Sequence, residues 1–183
     1  DNNVLGFAVE YVGRYKQKEP DVLDADIFAE AMVEGIDTRE VLESNDRLNK
    51  ITDYILADWK RKTKNGKFNA LFATASIEVL KKYYTLFKSK KPADFKIATI
   101  FTYHANEEEN SDMLDVDIFA GEGTAENQLS RDFLDDCIKD YNKVYSTNFS
   151  TERFYDYYRD LQKRIKNKEV DLVLVVNMFL TGF

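Results

Sequence analysis

Residues 170–176 read VDLVLVV and run directly into NMFLTGF at 177–183. The five apolar residues from Leu172 to Val176 leave no polar face for water, and the run is strand-length, too short for a helix. A strand that is apolar on both faces belongs in the middle of a sheet covered by other elements. The expectation is therefore a parallel sheet with helices packed against it. The strand then meets a polar residue, Asn177, and a small-residue turn at Thr181-Gly182. In open α/β sheets, ligands bind at the carboxyl ends of strands, which makes Asn177, Thr181 and Gly182 candidate site residues. The plainer account is an ordinary strand exit, with Thr181 capping a helix and Gly182 making a turn.

Upstream of this strand the elements alternate. Residues 68–73 (FNALFA) form a short apolar run with the look of a strand buried on both faces. Thr74-Ala75-Ser76 then turns into a helix, with Ser76 as its N-cap, Glu78 in its first turn, and Ile77, Leu80, Tyr84 and Phe87 on its inner face. Residues 95–103 read as another strand. Two amphipathic helices are expected near 130–145, with Phe133, Cys137 and Tyr141 at a spacing of four, and near 151–168, with Phe154, Tyr157, Tyr158, Leu161 and Ile165. Before all of these, Asn45 or Asp46 caps a helix carrying Leu48, Ile51, Ile55 and Trp59. Asn65-Gly66 ends it, since both residues tolerate positive φ. From residue 45 the order is α-β-α-β-insert-α-α-β, which implies right-handed crossovers and a mainly parallel sheet.

The opening stretch differs in character. Residues 4–15 alternate as a strand does, and residues 26–35 suggest a short helix between Asp26 and Gly35. This part reads as a linker or the edge of another domain, so the expected division is 1–43 and 44–183, with an acidic insert at about 104–128. The sequence lacks an initial Met and stops just after a strand, so it reads as cut from a longer chain and truncated at the C-terminus.

The 183 residues carry a formal net charge of -7, with 44% hydrophobic and 32% charged residues, which fits a domain with a real core and a well-solvated surface. Taken alone, that charge speaks against a nucleic-acid coat protein, but it is uneven. Residues 60–67 (KRKTKNGK) and 163–168 (KRIKNK) are basic, and residues 105–117 (ANEEENSDMLDVD) are acidic. The bland account of these runs is solvated helix ends and a loop. With one Cys, Cys137, and one His, His104, neither a disulfide nor a four-ligand zinc site can be assembled within the chain. No run is long and apolar enough to span a membrane.

The negative findings narrow the chemistry. No G-x-x-x-x-G-K-[ST] phosphate cradle is present. Asp58-Trp59-Lys60 and Asp94-Phe95-Lys96 have a D-x-K spacing, but neither has an evident second acid for a metal-dependent nuclease. The acidic run lacks the glycine and alternation of a Ca²⁺ loop. No catalytic residue and no metal ligand is assigned. Thr74 and Ser76 are candidates for holding a phosphate, because the N–H groups at a helix N-terminus point at such a ligand. Helical spacing puts Phe154, Tyr158 and Leu161 in the core and leaves Tyr155 as the exposed aromatic.

The stretch KFNALFATASIEVLKKYYTLFK at 67–88 resembles the start of the second RecA-like domain in the R (motor and restriction) subunits of type I restriction enzymes. VDLVLVVNMFLTGF at 170–183 resembles a later motif of that domain. The helical residues between, and VLGFAVEYVGRY at 4–15, are similar as well. The resemblance implies an α/β, RecA-like three-layer sandwich within a superfamily 2 translocase. It implies ATP and Mg²⁺ as cofactors of the parent protein, with none bound by this part alone. The implied partners are double-stranded DNA and the modification and specificity subunits, in a prokaryotic cytoplasm, with no membrane. It further implies that Thr74, Ser76, Asn177 and Thr181 contact DNA phosphates, and that Gly182 lies near the nucleotide cleft. The alternatives are a stand-alone acidic α/β interaction module and the second motor domain of another superfamily 2 helicase.

Overall fold

The computed structural model describes residues 43–101 and 125–176. The elements proposed for 4–15 and 26–35, His104, the acidic run, and the candidates Asn177, Thr181 and Gly182 lie outside these residues.

Among these residues three strands form an all-parallel sheet: β1 (Ala70–Ala73), β2 (Ile97–Phe101) and β3 (Leu172–Val176), in the order β1-β3-β2. The last of these strands in sequence is thus the central one. Leu172 stands opposite Ala70 on one side and Ile97 on the other, and Val175 opposite Ala73 and Ile100. Every residue of β3 is buried, with Val173, Leu174 and Val175 at 0% exposure. Each such side chain contributes about 1.5–3 kcal/mol relative to an exposed one.

Among the described residues four α-helices accompany the sheet: α1 (Asn45–Lys62), α2 (Ile77–Lys90), α3 (Ala125–Tyr145) and α4 (Phe154–Lys166), the last entered through a 3-10 turn at Thr151–Arg153. The α/β order expected from the sequence is therefore present. The apolar stripe of α2 (Leu80, Tyr83, Tyr84 and Phe87) is buried. Its Tyr83 and Phe87 rings meet Phe72 of β1 edge-on, with centroids at 4.7 and 5.7 Å. From α4, Phe154, Tyr157, Leu161 and Ile165 are buried. The Tyr157 hydroxyl donates to the Thr99 carbonyl at 2.6 Å, and the Thr99 hydroxyl donates to the Leu174 carbonyl at 3.0 Å. A hydroxyl buried without a partner is costly; here both hydroxyls tie a helix, an outer strand and the central strand together.

Several expectations need correction. β1 is not buried on both faces. Among the described residues it occupies an outer position in the sheet; Phe72 meets α2 while Leu71 and Ala73 are exposed. The apolar run reflects burial of one face only. The N-cap of α1 is Ser44, not Asn45 or Asp46, which are the first helical residues. The strand starts at 68 and 95 move to Ala70 and Ile97. α3 begins at Ala125, so the last residues of the expected insert are helical. The break after α1 is as read, with Asn65 at φ 59° and Gly66 at φ 77°, and Lys64 joins them at φ 50°. Among the described residues no helix is long and apolar enough to cross a membrane.

Two outcomes follow from this packing. Leu174→Ala should lower the unfolding free energy by about 2–5 kcal/mol, the usual loss for emptying a closed core site; urea denaturation measures it. Cys137 is buried against Tyr84, and burial pushes its thiol up. Since the thiolate is the nucleophile, alkylation by iodoacetamide at pH 8 should be slow in the folded chain and prompt in denaturant.

Candidate functional site

Parallel strands bring all their carboxyl ends to one end of the sheet, and two of the sequence-derived candidates are described there. The Thr74 N–H donates to the Val175 carbonyl at 2.9 Å, extending the β1–β3 ladder by one step. The Thr74 hydroxyl lies 3.2 Å from the Ser76 carbonyl and 3.4 Å from the Val175 carbonyl, and the residue is 9% exposed. Thr74 thus fixes the turn out of β1 and holds that turn against β3. Its single hydroxyl proton is directed at backbone carbonyls.

Ser76 is extended, at φ -152° and ψ 162°, and its Oγ accepts from the Val79 N–H at 3.3 Å. This is the N-cap expected from the sequence. The Ser76 carbonyl accepts the first helical bond from Leu80 at 3.0 Å. The cap thereby satisfies the third N–H of the helix and leaves those of Ile77 and Glu78 at a positive helix end. Ala75 is exposed and Ser76 half-buried, so solvent reaches the turn. Both residues are small, which favours close approach of an oxyanion to backbone N–H groups.

The other half of the proposed site follows β3. Val176 is the last described residue of that strand and lies at the same end of the sheet as Thr74; Asn177, Thr181 and Gly182 are outside the described residues. The sequence indicated that both segments follow strands of one sheet. It did not indicate that the two strands are neighbours, or that Thr74 bonds directly to β3. Alternation of helix and strand does not specify strand order, and so could not have signalled this.

The remaining candidates have structural placements. Asp58 lies within α1 and accepts two bonds from Arg61, at 3.0 and 2.7 Å. That hydrogen bond, ahead of the guanidinium charge, holds its carboxyl below the usual range. Asp94 and Lys96 are both exposed, between α2 and β2. Tyr155 is exposed as expected, with Arg159 stacked 5.6 Å from its ring centroid. Phe154 and Leu161 are buried and Tyr158 is half-buried. On α3, Tyr141 donates to Asp160 at 2.7 Å, and Arg164 binds both Asp160 and Glu169, at 2.7 and 2.6 Å. This network fastens α4 to α3 beside Tyr145, whose hydroxyl burial pushes up to about 12.

Comparison with known proteins places this arrangement. Residues 66–183, from just before β1 to the last residue, match the family model described as type I restriction enzyme subunit R domain 3. The whole chain aligns at 36% identity with the type I restriction enzyme SauCOLORF180P endonuclease subunit of Staphylococcus aureus strain COL. It aligns at 38% with the type I restriction enzyme SsaAORF53P endonuclease subunit of Staphylococcus saprophyticus. Each alignment covers 100% of this chain and 19% of the relative, so the chain spans about a fifth of the length of these proteins. A family match across both β1 and β3, with identity at this level from end to end, means that the chain belongs to the type I restriction enzyme R subunit family.

Proposed function

We propose that this chain is part of the second RecA-like domain of an ATP-dependent, DNA-translocating motor in a type I restriction endonuclease. The observation that carries the reading is the 2.9 Å bond from the Thr74 N–H to the Val175 carbonyl. It joins the strand before one candidate phosphate site to the strand before the other, within a family whose members are restriction-enzyme R subunits. In this reading Thr74, Ser76, Asn177 and Thr181 meet the phosphates of double-stranded DNA. The open N-terminus of α2 supplies N–H donors, and Gly182 lies close to the nucleotide cleft. Thr74 contributes chiefly by holding the turn in shape, since its hydroxyl proton faces inward.

The same reading assigns ATP and Mg²⁺ to the full-length protein and makes the modification and specificity subunits its partners in a bacterial cytoplasm. Phosphoryl transfer needs a phosphate cradle, Mg²⁺ ligands and a charge-stabilising arginine. No Walker A motif occurs in the 183 residues. The family match favours this reading over the motor domain of another superfamily 2 helicase and over a stand-alone interaction module.

Ser76 provides a clean test in the full-length R subunit assembled with its partner subunits. An aspartate caps a helix as well as a serine does, so Ser76→Asp should leave the melting temperature unchanged while placing a negative charge where a phosphate is to bind. DNA-stimulated ATP hydrolysis should fall about tenfold or more, the scale of losing one charge-assisted hydrogen bond. Unchanged DNA-stimulated turnover would refute the assignment of Ser76 to DNA. The 183-residue chain alone should show no ATP hydrolysis in a phosphate-release assay, and measurable turnover would contradict the proposed division of labour.

A further inference from the structure

The opposite end of the sheet, where the strands begin, carries a feature the motor reading does not use. The two basic runs, 60–67 and 163–168, are about a hundred residues apart in sequence, yet the fold brings them together. α1 leads into β1 and α4 leads into β3, and these strands are parallel neighbours. The Asn69 side chain donates to the Ile165 carbonyl at 2.7 Å, and the Ala70 N–H to the Asp171 carbonyl at 2.8 Å. Between the two runs stands Phe68, an aromatic ring 54% exposed. Lys64 from one run and Lys168 from the other place their ammonium groups 5.7 and 5.6 Å from the centroid of that ring.

Three properties set this cluster apart from ordinary surface lysines. First, five of its lysines are not neutralised. Lys50, Lys82, Lys88, Lys90 and Lys139 each hold a carboxylate. Lys60, Lys64, Lys67, Lys166 and Lys168 hold none among the described residues. The nearby acids are already engaged: Asp58 with Arg61, Glu169 with Arg164 and Asn167, and Asp171 with the Lys96 N–H. Asp94 precedes β2, on the far side of β3 from Phe68. Second, the helix dipoles do not account for it. They favour cations in the last turns of α1 and α4, but Lys64, Lys67 and Lys168 lie beyond both helices. Third, Lys64 and Lys168 both have left-handed backbones, at φ 50° and 59°, where Asn or Gly is the usual occupant. The two lysines in this unfavourable conformation are the two that flank the exposed ring.

We propose that this face binds the phosphodiester backbone of a nucleic acid, at a site separate from the carboxyl end of the sheet. Phe68 holds two ammonium groups in place by cation–π attraction, and Lys60, Lys67 and Lys166 extend the positive surface around them. The ligand is a polyanion, because several unpaired cations in an otherwise acidic chain find their counter-charges in a string of phosphates. A single strand would add base stacking on Phe68, whereas a duplex would use the lysines alone.

The test is fluorescence anisotropy of the 183-residue chain with a labelled 20-nucleotide single strand and a labelled 20-base-pair duplex, across a salt series. Lys64→Glu with Lys168→Glu should weaken binding at least tenfold. The same pair should make the log–log salt slope on the duplex shallower by about two, since each phosphate left without its lysine removes roughly 0.9. Lys139→Glu with Lys143→Glu on α3 changes net charge equally and should have a much smaller effect. Phe68→Ala should weaken the single strand more than the duplex if bases stack, and both equally if only phosphates bind. Lys67→Glu with Lys166→Glu, at exposed positions, repeats the test should the first pair fail to melt like the wild type. Equal losses from the control pair, no binding to either probe at 50 mM salt, or patch variants that lose a poly-glutamate probe but keep both oligonucleotides, would each overturn the proposal. Because Ser76 is at the other end of the sheet, loss of binding in Ser76→Asp alone would leave the motor reading intact and remove this one.

Discussion

The carbonyl of Leu174 accepts the Thr99 hydroxyl, and the Thr99 carbonyl in turn accepts the Tyr157 hydroxyl. This short relay runs through the centre of β3, the strand on which the rest of the fold depends. β1 and β2 do not pair with each other; among the described residues, each is held in the sheet through β3. This late strand therefore completes a sheet whose outer members are made about seventy to one hundred residues earlier. Such non-local pairing carries the loop-closure cost before any ladder forms. The five side chains of β3, buried on both faces, offset that cost because they find apolar partners on each side.

Much of this architecture was legible in the sequence, for identifiable reasons. An uninterrupted LVLVV leaves only a doubly buried strand, and Asn65-Gly66 leaves only a helix end with positive φ. Ser76 reads as a cap because a hydroxyl before an apolar periodic stretch has an orphan N–H to accept from. What failed was equally physical. FNALFA is as apolar as a central strand, but residue type does not reveal position in the sheet, so its outer place and the exposure of Leu71 had to come from the topology. At the candidate site, the cap at Ser76 was readable, but the contact between Thr74 and Val175 was not. Nothing in a linear pattern fixes which strand lies beside which.

The topology also gives the two ends of the sheet different chemistry. At the carboxyl end, Thr74 and Ser76 present a tight turn with small side chains, and the proposed attraction for an anion comes from oriented N–H groups. Such a site depends on backbone placement and carries no net charge of its own, so it is directional and short in range. At the amino end the proposed attraction comes from whole ammonium charges on flexible stems. These act over roughly a Debye length and weaken as salt rises. The first kind of site can register where a phosphate is, and the second can only gather phosphates nearby.

This contrast reconciles the chain's acidity with the proposed affinity for polyanions. A net charge of -7 spread evenly would repel DNA from every direction. Here many of the acids are engaged: Asp140 serves Lys88 and Lys143, Asp160 and Glu169 share Arg164, and Asp53 meets Lys90. Pairing of this kind cancels the field locally and leaves the unpaired lysines around Phe68 to set the potential at their own end. The ordering of β3 between β1 and β2 is what brings Lys64 and Lys168 to one ring. A sheet in sequence order, β1-β2-β3, would have separated them by a strand and left two weak basic patches in place of one.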